Sequence, residues 1–184
     1  MTPPRNQLSR RTFLGTAAGG ALALYGCERK PGIHPRVQGR KPGRALDAEE
    51  LAVCEAASER LFPADQDPGA KALGAVDYID NRLSRPGVRA QRARRKLRHG
   101  LGLLVDWSQK QQGKHFLDLE PEDQDVALAS LAADGGDEGY AFVRQLLVLT
   151  MEGVFADPSY GGNRDKGGWK ILGFDAPCPN PRCK

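Results

Sequence analysis

The fold turns on Tyr140-Ala-Phe-Val-Arg-Gln-Leu-Leu-Val-Leu-Thr-Met-Glu-Gly-Val-Phe155 and the loop that follows it, Ala156-Asp-Pro-Ser-Tyr-Gly-Gly-Asn-Arg-Asp-Lys-Gly-Gly-Trp-Lys-Ile-Leu-Gly-Phe174. In the first part, Phe142, Val143, Leu146, Leu147, Leu149, Val154 and Phe155 leave only Arg144, Gln145 and Glu152 strongly polar. A helix that is apolar around most of its circumference must be covered by protein over most of its surface. The segment is therefore expected to be a core helix. Asp157-Pro158 ends it, and glycines at 161, 162, 167 and 168 give the loop backbone angles that other residues avoid.

Within that loop Tyr160, Asn163, Arg164, Asp165 and Trp169 mix polar and aromatic side chains among glycines, a composition suited to recognition. Two readings stand. One is a contact patch held rigid by the helix before it; the other is an ordered loop whose Arg164 pairs with a nearby carboxylate and whose Trp169 packs on the last helix. A calcium loop built on Asp157, Asn163 and Asp165 fails on spacing, because the oxygens do not fall at alternate positions and no closing Glu follows.

The segments before this helix read as four more. Asp47-Ala-Glu-Glu50 forms a capping box, after which Leu51, Cys54, Ser58, Leu61 and Phe62 recur at helical spacing up to Pro63. Ala72, Ala75, Val76, Ile79 and Leu83 mark a second helix, ending near Pro86-Gly87. A third begins near Val88, basic through Arg89, Arg92, Arg94, Arg95, Lys96 and Arg98, then apolar through Leu97, Leu101, Leu104 and Trp107. A fourth opens at Leu119-Glu-Pro-Glu122 and stops at Asp134-Gly-Gly136. No run alternates with period two, so the fold class is all-α, with about five helices in one domain over residues 46–184.

The start of the chain fixes the expected compartment. Ser9-Arg10-Arg11-Thr12-Phe13-Leu14 reads as a twin-arginine export signal, a receptor-read address for folded proteins. The apolar run after it, Gly15 to Tyr25, is short of the roughly 20 residues that span a bilayer. Leu24-Tyr25-Gly26-Cys27 resembles a lipoprotein signal that would leave Cys27 lipidated, while Ala21-Leu22-Ala23 offers an ordinary cleavage site. Residues 1–27 are thus a signal, and residues 28–45, rich in Pro, Gly and positive charge, are expected to be a flexible tether. The whole chain has 27 basic and 23 acidic side chains; the signal carries three arginines and no acid, so its loss leaves 24 against 23, or +1. Nucleic-acid binding loses its electrostatic argument.

Enzyme motifs are missing from the sequence. It holds no dinucleotide fingerprint, Walker loop, nucleophile elbow or c-type haem site, and His34, His99 and His115 have no metal-ligand spacing. Catalytic, cofactor-binding and metal residues are therefore expected to be absent from this chain. Glu120, Glu122, Asp123 and Asp125 read as dipole-favouring residues of a first helical turn. Among the cysteines, Cys178 and Cys183 are placed for a short disulfide in an oxidising compartment, with a redox pair or half a metal site as the alternative; Cys54 reads as a small buried thiol.

The order of these features is specific. A twin-arginine signal, a helix beginning Leu46-Asp-Ala-Glu-Glu50, the turn Leu61-Phe-Pro-Ala-Asp-Gln-Asp-Pro-Gly69, the start Phe116-Leu-Asp-Leu-Glu-Pro-Glu-Asp-Gln124 and Asp157-Pro-Ser-Tyr-Gly-Gly-Asn-Arg-Asp165 with Trp169 together resemble the gluconate 2-dehydrogenase subunit 3 family. The resemblance implies a small, cofactor-free subunit beside a large FAD-dependent flavoprotein of the glucose-methanol-choline class, with a multihaem cytochrome c (haem c) as a third subunit. It further implies a non-catalytic role in stabilising the flavoprotein and escorting it to the twin-arginine translocase, in a periplasmic complex attached to a bacterial membrane. Tyr160, Asn163, Arg164, Asp165 and Trp169 would then form part of the partner interface. The second reading, of another class, is a free-standing helical envelope lipoprotein that binds some other periplasmic protein or ligand.

Overall fold

In the computed structural model, residues 34–174, within the unit Ile33–Lys184, are described here. The export-signal residues Ser9, Arg10, Arg11, Phe13 and Leu14, the lipidation candidate Cys27 and the Cys178/Cys183 pair lie outside the described residues. Six α-helices and no strand are found among them: α1 (Ala48–Leu61), α2 (Ala75–Leu83), α3 (Val88–Gln112), α4 (Pro121–Asp134), α5 (Gly136–Phe155) and the short α6 (Gly167–Ile171). The all-α expectation holds, and the sixth helix is a single turn and a half inside the stretch read as irregular loop.

Local signals explain most of the boundaries. The Asp47 carboxylate accepts the N–H groups of Glu49 and Glu50, and the Asp47 N–H donates back to the Glu50 carboxylate at 2.9 Å. This is the capping box expected from sequence. Pro121 occupies the first turn of α4, where its missing N–H costs no helical bond. Glu122 and Asp123 favour the dipole there, whereas Asp125 turns to Arg60 of α1 in a two-pronged ion pair, both contacts at 2.7 Å.

Helix α5 is the axis of the domain, packed against α2, α3 and α4. Phe142, Leu146 and Leu149 point into the main core with Leu97, Leu101 and Leu104 of α3, Leu128 and Leu131 of α4, and Val53, Cys54 and Ala57 of α1. Beneath the C-terminal loop lies a smaller apolar cluster of Ala70, Leu73, Ala75 and Val154, flanked by Phe62, Phe155 and Ile171. Burial pushes the Cys54 thiol up to about 12, so this cysteine behaves as a small apolar side chain. No helix of the described residues is long and apolar enough to cross a membrane.

The tether expectation is corrected for residues 34–45. Val37 is 1% exposed and belongs to the main core, and Asp80, itself buried on α2, accepts the N–H groups of Arg44, Ala45 and Leu46 at 2.6, 2.9 and 3.0 Å. A core side chain at one end and a carboxylate at the other thus fix a proline- and glycine-rich segment whose composition alone suggests freedom. The fixed body includes the described residues from His34 onward as well as those from Leu46.

Candidate partner interface

The loop after α5 is built to close that helix. The last carbonyls of an α-helix have no partner within the helix, and here side chains and backbone of the loop supply them. Asn163 N–H donates to the Gly153 carbonyl, Asn163 Nδ2 to the Ala156 carbonyl and Trp169 Nε1 to the Phe155 carbonyl, each at 2.8 Å. Asn163 Oδ1 accepts the Gly168 N–H at 2.8 Å and so caps the start of α6 as well. The contact is too close for larger residues: a Cβ on Gly162 or Gly168 would lie 2.1 Å from the carbonyl oxygen of Gly153 or Val154. That requirement, more than freedom of angle, explains these two glycines.

This geometry separates the five residues expected at a partner interface. Asn163 is fully buried and Trp169 is 8% exposed, so both act inward, and the direct-contact role expected of them is corrected. The amide oxygen of Asn163 is bonded inward, to the Gly168 N–H. Arg164 pairs with Asp77 on α2, while its N–H donates to the Leu73 carbonyl at 3.1 Å. Tyr160 stays half exposed, with the Arg85 guanidinium over its ring at 5.3 Å. Asp165 is exposed in a left-handed conformation at φ 55°. The outer surface of the loop therefore offers Tyr160, Arg164 and Asp165, and its inner surface is structural.

A larger open surface lies on α5 itself. Tyr140, Leu147, Val148 and Met151 are 58, 40, 50 and 37% exposed. Residues 140, 144, 147, 148 and 151 fall at intervals of three and four, so they share one face. The helix that composition required to be covered almost all round is covered on one side only among the described residues. Between this face and the first half of α3 runs a groove of about 800 Å³. Its sides carry Arg89, Arg92 and Lys96 from α3 and Arg144 from α5, with Val88, Tyr140 and Val148 among its apolar lining. The exposure of this face was hidden in the sequence, although the three-four spacing of Tyr140, Arg144, Leu147 and Met151 was the signal that could have found it.

Comparison with protein families decides where the chain belongs. The family model described as gluconate 2-dehydrogenase subunit 3 matches residues 48–176. The chain belongs to that family. The match spans α1 through α6, including the clasp around Asn163 and both walls of the α3–α5 groove. Membership makes the chain a subunit of a gluconate 2-dehydrogenase-type complex and implies a dehydrogenase as its partner. No curated protein and no solved structure matches it.

Proposed function

We propose that this chain is the non-catalytic small subunit of a FAD-dependent dehydrogenase of the glucose-methanol-choline class, acting on CH–OH groups of sugars or alcohols. It holds and stabilises the large flavoprotein subunit and, through Ser9-Arg10-Arg11 with Phe13 and Leu14, escorts it folded to the twin-arginine translocase. The complex works in the periplasm, attached to the membrane through a lipid on Cys27 or through a cytochrome c subunit carrying haem c. Family membership across residues 48–176 is the observation that carries this reading. The half-covered apolar α5 supports it, since such a face on a small domain marks a protein contact.

The test is purification of the tagged chain from the periplasmic membrane fraction. A yellow flavoprotein with sugar or alcohol dehydrogenase activity should accompany it, and a preparation without flavin and without such activity overturns the proposal. Arg10→Lys combined with Arg11→Lys should strand both chain and flavoprotein in the cytoplasm. Export of the flavoprotein despite that change removes the escort role and leaves the subunit role standing.

A further inference from the structure

Helix α3 begins in an electrostatically unfavourable way. Positive charge near a helix N-terminus opposes the helix dipole and is unfavourable unless something acidic compensates it. Yet the first turns of α3 carry Arg89 and Arg92, no acidic residue, and no side-chain cap at Gly87. The carboxylates nearest in sequence are committed elsewhere: Asp77 pairs with Arg164, and Asp80 is taken by three backbone N–H groups. Across the groove Arg144 adds a further cation, and Lys96 stands one helical turn beyond Arg92. None of Arg89, Arg92, Lys96 and Arg144 forms an ion pair among the described residues. Two carboxylates also line the groove. Glu152 is held by Arg82 at 2.9 Å, which leaves Asp137 against four unpaired cations.

The same groove is apolar where it meets α5. Val88 is 67% exposed, Tyr140 58% and Val148 50%, and Leu147 and Met151 continue the patch over the crest of the helix. Cations flanking exposed apolar side chains in a concave site call for an occupant with carboxylates flanking apolar side chains, because only that chemistry satisfies both at once. The chain's own remaining segments do not provide it. Residues 1–33 carry five basic side chains against Glu28, and residues 175–184 carry Arg182 and Lys184 against Asp175. A second copy of this groove would set like charges face to face. A bilayer surface is the wrong shape, since interfacial helices bury a convex apolar face between headgroups.

We infer that the α3–α5 groove is the docking site for an acidic, apolar-studded segment of the dehydrogenase subunit. This rests on the function proposed above and names the surface and the chemistry through which it is carried out. The partner's carboxylates reach Arg89, Arg92, Lys96 and Arg144, complete the unfavourable start of α3, and seat apolar side chains on Tyr140 and Val148. Helical walls on both sides make the groove rigid before binding, which lowers the ordering cost of association. The loop residues Tyr160 and Arg164 lie on other elements and are not needed for this contact.

The experiment uses the dehydrogenase that co-purifies with the tagged wild-type chain. Recovery is compared for the triple variant Arg89→Glu, Arg92→Glu and Arg144→Glu and for a control with the same charge change, Lys41→Glu, Lys110→Glu and Lys114→Glu. The groove variant should lose affinity by about tenfold or more and lose the salt sensitivity of the wild-type complex, while the control keeps both. Equal affinity of the groove variant and the wild type overturns the groove and leaves the subunit reading intact. Failure of the wild-type chain to recover any dehydrogenase overturns the function itself. A second arm does not depend on folding of the triple variant: a photo-crosslinking residue replaces the exposed Val148. Crosslinks to an acidic segment of the dehydrogenase support the inference. Crosslinks to a second copy of this chain, to lipid, or to a non-acidic segment overturn it.

Discussion

The imidazoles of His34 and His115 stack with their centroids 4.4 Å apart, and each caps a different helical turn. His34 Nδ1 accepts the Arg36 N–H and His115 Nδ1 accepts the Leu117 N–H, both at 3.2 Å. Their Nε2 atoms face carboxylates, of Asp118 at 2.9 Å and Glu49 at 3.2 Å. An Nδ1 that accepts a backbone N–H carries no proton, so in this geometry each ring meets its carboxylate through Nε2–H. Burial, and next the neighbouring His34, hold His115 below its ordinary value.

Folding stability should therefore fall on acidification. The unfolded chain takes up a proton on His115 near the ordinary histidine value of about 6.5, while the folded chain resists it until lower pH. The contribution is complete above that value and is lost as pH falls below it. The hydrogen bond from His34 holds the Asp118 carboxyl below its usual range, so its own contribution disappears only at still lower pH. Urea unfolding midpoints measured from about pH 7 to 5 should decline for the wild type and flatten for His115→Asn, which keeps a capping oxygen without a titrating ring. An unchanged slope in the variant would assign the pH dependence to other groups.

Asn163 should be the most sensitive position of the C-terminal loop. Alanine there leaves the Ala156 carbonyl and the Gly168 N–H without partners and keeps a left-handed backbone, at φ 46°, that asparagine tolerates better. The expected destabilisation is about 3 kcal/mol, read from chemical unfolding. A loss under about 1 kcal/mol would mean that water replaces both partners.

Trp169 and Arg164 should differ in kind. Trp169 is buried, donates to the Phe155 carbonyl and meets the Phe174 ring edge-on at 5.5 Å, so Trp169→Ala is expected to destabilise the subunit by about 3 kcal/mol or more. Arg164 and Asp77 are each about half exposed, and solvent-exposed ion pairs contribute about 0–1 kcal/mol. Arg164→Ala should thus leave the thermal midpoint almost unchanged. A large shift for Arg164→Ala would show that its N–H bond to Leu73 and the whole loop depend on the ion pair.

Asp80 gives a test of the segment before α1. Asp80→Ala removes the acceptor of three backbone N–H groups and should cost about 3 kcal/mol. Hydrogen exchange at Arg44, Ala45 and Leu46 should accelerate more than exchange in the α3 core. Uniform acceleration across the domain would instead mark Asp80 as part of the global folding unit.

The all-α class, the capping box at Asp47 and Glu50, the start of α4 at Pro121 and the family were all legible in the linear chain. These signals are local: a cap, a proline and a period of three to four act within a turn or two of themselves. That residues 34–45 are held emerges only on folding, because their anchors are far along the chain: Asp80 on α2 for residues 44–46, and the main core and Asp118 for Val37 and His34. The tertiary structure decided likewise that Asn163 and Trp169 face inward, since polar and aromatic residues in a glycine-rich loop suit either a partner's surface or the open end of a neighbouring helix. For α5 the apolar count was legible and the covered side was not. How many neighbours a small domain can set around one helix is fixed by the lengths and crossings of the other helices; among the described residues, α2, α3 and α4 leave Tyr140, Leu147, Val148 and Met151 exposed beside four cations without an ion pair.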